Sequence, residues 1–327
     1  MLAAGSIVAS CCSASEGEGL LSKYAARLTE PRYYMAPYTG GIVVDGKLGD
    51  ADWLAAPASE DFTDISVDTL PAKQTFVKML WDAENLYIGA TIIEDKIVAN
   101  LKQRDTIIWK ENDFEVFIDP DCDGQSYFEI EINAIGTVMD LMMNKPYRNG
   151  GDFYMPWDCP GLVVKTSRDS KAWYAEMAIP RKGLMMAFAK PEESRIWRIN
   201  FSRVEWMRPD REENWVWSPT GKIDMHMPER WGILYFAAPN ESVELGEADL
   251  TGWNTMWALF YAEMDRTEGF TADVRALGLT KAEEEAVASI DISVAGKDFF
   301  VIEVTDKAGV KNVVDYNGKY RQIPASK

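Results

Sequence analysis

The sequence predicts a mainly β protein, an antiparallel β-sandwich of jelly-roll type with a small C-terminal α+β appendage. Three observations lead there. Between residues 42 and 237, short runs of apolar character follow one another, punctuated by Asp, Gly, Pro and Asn. No βαβ alternation occurs in that block, which speaks against a parallel sheet. Beyond residue 239 the pattern changes to apolar residues at helical spacing. At 327 residues, 47% of them hydrophobic, the chain has material for a large core and length for about two domains.

Residues 1–12 are an apolar and small run ending in Val8-Ala9-Ser10-Cys11. This is similar to the end of a bacterial lipoprotein signal, with Cys11 as the residue to be lipidated. It implies an exported protein, in the periplasm or anchored at the outer membrane. No other stretch reaches the ~18 apolar residues of a transmembrane helix. Residues 13–40 form a polar, then Tyr- and Pro-rich lead-in. The sandwich spans 41–238, with strands expected at 74–81, 85–94, 113–119, 126–143, 162–166, 172–179, 195–205, 214–217 and 231–236. In a strand, residues i and i+2 share a face. Phe128, Ile130 and Ile132 therefore oppose Tyr127, Glu129, Glu131 and Asn133, and Trp197, Ile199 and Phe201 oppose Arg198, Asn200 and Ser202. One face seeks a core. The other, rich in charge and amides, is either a solvated outer surface or a polar binding face. In the appendage, 239–327, residues 252–268 read as a helix with Thr251 as N-cap, and 270–279 and 281–288 as polar helical turns. Closing strands include the hairpin Tyr316-Asn317-Gly318-Lys319-Tyr320, whose Asn-Gly suits a type I′ turn.

Charge narrows the function. Lys and Arg number 34 against 52 Asp and Glu, a net charge of −18. This argues against nucleic acid, which needs cations to neutralise its phosphates, and against an anionic membrane surface. One histidine, His226, nearly excludes a Ser-His-Asp triad or a multi-His metal site. No CxxC occurs among the four cysteines, and Cys122 and Cys159 could pair in an oxidising compartment. The 12 Trp and 13 Tyr suit a sugar-binding surface, since a pyranose offers a C–H face for stacking and a rim of hydroxyls.

Three constellations carry chemistry. Asp119-Pro120-Asp121-Cys122-Asp123-Gly124 opens like an EF-hand loop, but the twelfth position is Ile130 rather than Glu. Calcium on Asp119, Asp121 and Asp123 and an ordinary hairpin turn both remain open. Paired carboxylates such as Glu129 and Glu131, about 7 Å apart along one strand face, leave a glycoside hydrolase as an alternative. His226 between Met225 and Met227 suggests haem as a second alternative, although adjacent strand residues face opposite ways.

The strand-rich block also carries landmarks in order: VVDGKLGDADW from Val43, KMLWD from Lys78 with NLYI from Asn85, WKENDFEVFID from Trp109, WYAEMAIP from Trp173, WRINFSRVE from Trp197, ENWVWSP from Glu213 and MHMPERWG from Met225. Together these resemble the family 9 carbohydrate-binding module and its secreted relatives, over residues 42–236. The resemblance implies a jelly-roll-like sandwich that binds sugars without catalysis and often holds structural calcium. It implies that Trp109 is an aromatic platform and that Glu115 and Asn133 hold hydroxyls, a carboxylate accepting and an amide both donating and accepting. Two positions depart from the family. Its binding arginine falls on Glu131, and its second stacking Trp falls near Met225, beside His226. Trp215 or Trp217 could form the other wall, with Arg104 and Asp105 as surroundings. The expectation is a mono- or oligosaccharide ligand, used in extracellular or periplasmic glycan utilisation, with no required cofactor and an affinity of roughly micromolar to millimolar.

Overall fold

The protein is described by a computed structural model covering residues 18–325, apart from 68, 186–189, 209–210, 243–244 and 246–248. The expected lipid-anchor run around Cys11 lies outside the described residues.

Among the described residues, thirteen strands build the sandwich: β1 (Tyr33–Ala36), β2 (Thr63–Asp64), β3 (Thr75–Trp81), β4 (Asn85–Ile93), β5 (Asp113–Asp119), β6 (Phe128–Asn133), β7 (Val138–Met143), β8 (Phe153–Tyr154), β9 (Val163–Arg168), β10 (Ala172–Pro180), β11 (Ile196–Arg208), β12 (Arg211–Val216) and β13 (Gly232–Phe236). One sheet runs β1-β13-β11-β5-β6-β7-β8, with β12 also on β11 and β2 on β12. The other runs β3-β4-β10-β9. Between them lies one apolar core, in which Phe114, Val116, Ile118, Phe128, Ile130, Ile132, Trp197, Ile199 and Phe201 meet Val77, Met79, Ile88, Trp173 and Met177. The alternation read from the sequence assigns the faces of Phe128, Ile130 and Ile132 and of Trp197, Ile199 and Phe201 correctly.

Several expectations change. The lead-in supplies β1, which pairs in parallel with β13, Tyr33 opposite Ile233. The Tyr34 hydroxyl, buried against the sandwich, donates to the Pro57 carbonyl at 2.5 Å and accepts from the Met79 N–H at 2.9 Å. The strand expected over 126–143 is two, β6 and β7. Asn133 turns the chain between them, its Oδ1 accepting from the backbone of Ile135 and Thr137 at 3.2 and 3.0 Å, and Gly136 takes a φ of 80° that few side chains tolerate. Cys122 and Cys159 are free thiols rather than a pair.

A second core sits beside the first. A four-stranded meander, β14 (Ser289–Ala295), β15 (Phe299–Thr305), β16 (Lys311–Asp315) and β17 (Tyr320–Ile323), packs with a long helix. The helices are α1 (Leu20–Lys23), α2 (Ala51–Ala55), α3 (Thr251–Met264) and α4 (Lys281–Glu285). Trp253, Met256, Trp257 and Phe260 of α3 meet Phe300, Ile302, Val304 and Val314, and Leu20, Tyr24 and Leu28 of the lead-in join them. The N-cap of α3 is Leu250, with no side-chain cap, and Thr251 is its first residue. At α4, Thr280 and Glu283 form a capping box. The Glu283 carboxylate also accepts from the N–H groups of Leu20 and Leu21 at 3.2 and 2.8 Å, tying the lead-in to the appendage. Among the described residues no helix is long and apolar enough to cross a membrane.

Candidate ligand-binding site

The face of the large sheet turned away from the core carries a cavity of about 470 Å³, within the range of small-ligand sites. Its floor follows from strand parity. In β5 the residues opposite the core are Asp113, Glu115 and Phe117; in β6 they are Glu129 and Glu131, with Tyr127 just ahead of the strand; in β7 they are Met139, Leu141 and Met143. Register places Glu115 directly across from Glu131, and Phe117 across from Glu129. Like charges so placed repel. Burial, reinforced by the charge of Glu129, pushes the Glu115 carboxyl up to about 8, and burial pushes Glu129 up to about 7. Asp113 and Glu131 are raised well above the carboxylate range, first by burial and then by Glu115. The cavity is thus an apolar bowl with acids at its base, walled by Ile107, Met139, Phe153 and Met155.

Trp109 stands at the rim, 38% exposed, on a short 3₁₀ turn (Ile108–Lys110) whose Ile108 is buried as an anchor. Its carbonyl accepts from Trp206 Nε1 at 3.0 Å, which holds the turn in place. On another wall, the Tyr147 ring meets His226 edge-on with centroids 4.5 Å apart. His226 Nδ1 lies 2.9 Å from the Tyr127 hydroxyl, and Nε2 lies 3.8 Å from Glu129 Oε2. Burial, aided by the Arg148 charge, lowers the imidazole to about 4, so the ring is neutral at pH 7.

The cavity therefore brings together Trp109, Glu115, Glu131 and His226. Other expected residues lie elsewhere. Asn133 is fully buried and engaged, its Nδ2 donating to the Leu101 carbonyl at 2.9 Å and its Oδ1 capping the β6–β7 turn. Trp215 and Trp217 point into the sandwich core, because strand parity gives the cavity Asn214 instead. Trp215 lies 4.8 Å beneath the Arg203 guanidinium, and Trp217 Nε1 donates to Glu60 at 3.0 Å. Arg104 is held by Asp140 and, at 2.7 Å, by Asp158, and lines a separate hollow with Lys102 and Thr137. Asp105 sits beside it, its carboxylate 3.6 Å from Arg104 Nε. Tyr147, Phe153, Met155 and Ile223 were not legible as walls, since turns and a two-residue edge strand carry no alternation to mark them. Glu129 was legible as the same-face neighbour of Glu131.

Asp119, Asp121 and Asp123 each bring a carboxylate oxygen within 4.8 Å of the others, and the same oxygens shape the turn that follows β5. Both Asp119 oxygens accept backbone N–H groups, from Cys122 at 3.1 Å and Gly124 at 2.8 Å. Asp123 accepts from Gln125 N at 2.8 Å and meets the Lys319 ammonium at 2.7 Å. The turn joins β5 to β6, and Lys319 of the appendage closes over it.

Comparison with known proteins places this architecture. A family model described as "Carbohydrate family 9 binding domain-like" matches residues 44–237. No curated protein matches the chain in sequence. Among solved structures, a candidate carbohydrate-binding protein from Bacteroides uniformis ATCC 8492 aligns at 14% identity with a TM-score of 0.53, over 63% of this chain and all of that one. A family 9 carbohydrate-binding module from Caldicellulosiruptor kristjanssonii in complex with glucose aligns at 14% identity and a TM-score of 0.48, over 65% of this chain and all of that one. With cellotriose the figures are 15%, 0.46, 65% and all. With the matched span covering well over half of the residues, the chain belongs to the carbohydrate family 9 binding domain-like family.

Proposed function

We infer that the protein binds a mono- or oligosaccharide, without catalysis, in the cavity beneath Trp109. The observation that carries this reading is a half-exposed indole at the rim of a bowl whose base presents Glu115, Glu129 and Glu131, in a chain of this family. The ring offers its face to the C–H side of a pyranose while the acids reach the hydroxyl rim. Tyr147, rather than Trp215 or Trp217, supplies the facing aromatic. One or two stacked rings and a few exchanged hydrogen bonds set the affinity at roughly micromolar to millimolar.

A panel including glucose and cellotriose, titrated calorimetrically, tests this. Saturable binding that Trp109→Ala weakens at least about tenfold, a loss of about 1.4 kcal/mol, supports it. Equal binding by both proteins contradicts the site. Release of reducing sugar, lost in Glu131→Gln, contradicts the non-catalytic role.

The protein acts outside the cytoplasm in glycan utilisation, at the periplasm or outer membrane, anchored through Cys11. The Val8-Ala9-Ser10-Cys11 run supports this. Radiolabelled palmitate should enter the wild type in a bacterial host and be lost in Cys11→Ser; an unlabelled wild type contradicts the anchor.

A further inference from the structure

Two acids at the base of the cavity, Glu115 and Glu131, form with the fully buried Asp113 behind them a set that the sugar reading leaves unbalanced. Asp113, Glu115 and Glu131, all buried, each offer a carboxylate oxygen, and the three atoms lie within 4.8 Å of one another. That spacing matches oxygens around one calcium-class ion, whose ligands lie 2.3–2.6 Å from the metal. They stand on the paired strands β5 and β6 rather than on loops, so the backbone ladder fixes their separation. The second observation is independent of the clustering. Glu131, 1% exposed and lining the cavity, has an Oε2 with no hydrogen-bond partner among the described residues, and so does Asp113, fully buried, at its Oδ2. Native interiors rarely leave such oxygens alone, and an orphaned carboxylate oxygen signals an absent donor or ion.

The other two acidic clusters lack this feature. Lys319 occupies the one at Asp119, Asp121 and Asp123, and Arg104 the one at Asp105, Asp140 and Asp158. No Lys or Arg lines the cavity among the described residues, and His226, its one other basic group, is neutral. A dication, small enough to reach Asp113 where an amine on a sugar ring is not, satisfies the geometry. Ligation by three side chains leaves coordination positions open toward the Trp109 rim.

We propose that Asp113, Glu115 and Glu131 bind a hard divalent cation of the calcium class at the floor of the cavity, and that its open positions take vicinal hydroxyls of the ligand. The second clause rests on the sugar-binding reading; the first does not.

The test uses the full chain stripped with chelator and titrated with calcium chloride alone. Calcium should bind and raise the unfolding temperature, with affinity weakened at least tenfold in Glu131→Gln and unchanged in Asp121→Asn. Glu131→Gln keeps the side-chain shape, and circular dichroism verifies its fold. Terbium in place of calcium should give indole-sensitised emission that drops in Trp109→Phe, a protein that still binds calcium. Absence of calcium binding, or binding lost in Asp121→Asn but intact in Glu131→Gln, overturns the site. Sugar affinity measured with calcium and then with chelator reads the second clause, and a fall of at least tenfold is expected. Calcium binding with sugar affinity unchanged by chelator overturns the bridge while the sugar reading stands. Calcium binding with no sugar bound by any member of the panel overturns the sugar reading while the ion site stands.

Discussion

At the scale of residues, similar side chains divide by where the backbone places them. Trp109 and Trp217 are both indoles on the sandwich, yet one is at a rim and the other is sealed among Phe201 and the core. Trp109→Ala should reduce ligand binding with little change in stability. Trp217→Ala should cost about 3–5 kcal/mol by leaving a cavity while removing no contact with the ligand, which urea unfolding of the two variants checks. His226 gives a pH prediction. Its ring is depressed from an ordinary value of 6.5 to about 4, so the unfolded chain takes up the proton first as pH falls. Stability from this group is full above about 6.5 and is lost as the pH falls toward 4, by about 3 kcal/mol in all. The only histidine in the chain can be followed by NMR without ambiguity. A ring titrating near 6.5, or an acid destabilisation unchanged in His226→Asn, contradicts this.

At the scale of elements, the core faces of β6 and β11 were legible, because period-2 alternation depends only on neighbours in sequence. Phe128, Ile130 and Ile132 announced themselves in this way. Which face a short edge strand presents was not legible. Trp215 and Trp217 read as well outward as inward until β12 is paired with β11, Arg203 opposite Trp215. Asn133 illustrates a different limit. An amide at a strand end can hold a ligand or cap a turn, and only the two N–H groups of Ile135 and Thr137 decide it. Trp109 was legible because the family landmark that starts with it fixes its position relative to Glu115. The strand β1 was hidden in a Tyr- and Pro-rich stretch whose pairing with β13 is entirely long-range. The capping box at α4 makes a local prediction. Glu283→Ala removes the acceptor of Thr280, Leu20 and Leu21 N–H groups and should cost about 1–2 kcal/mol, read by thermal unfolding. A change within error contradicts the tie between lead-in and appendage.

At the scale of the whole molecule, the appendage braces the cavity. The loop that carries Tyr147 is held from the appendage side: Lys145 Nζ donates to Asn317 at 2.8 Å and Asn149 Nδ2 to the Tyr316 carbonyl at 3.1 Å. Arg148 donates to Glu229 at 2.8 Å, and Glu229 accepts from the Tyr261 hydroxyl of α3 at 2.7 Å. This ion pair lies within the sandwich, and the Tyr261 hydrogen bond joins it to the second core. Glu229→Ala leaves the Arg148 charge unpaired and should cost about 3–5 kcal/mol, splitting a single calorimetric transition into two; one unshifted transition contradicts the coupling. None of this junction was legible in the sequence, since it joins side chains up to 172 positions apart. The central claim remains the cavity. A crystal of the protein soaked with the tightest-binding saccharide of the panel tests it most directly. A sugar ring should lie flat on Trp109 with hydroxyls toward Glu115 and Glu131; density at any other surface, with the bowl holding solvent alone, excludes this site.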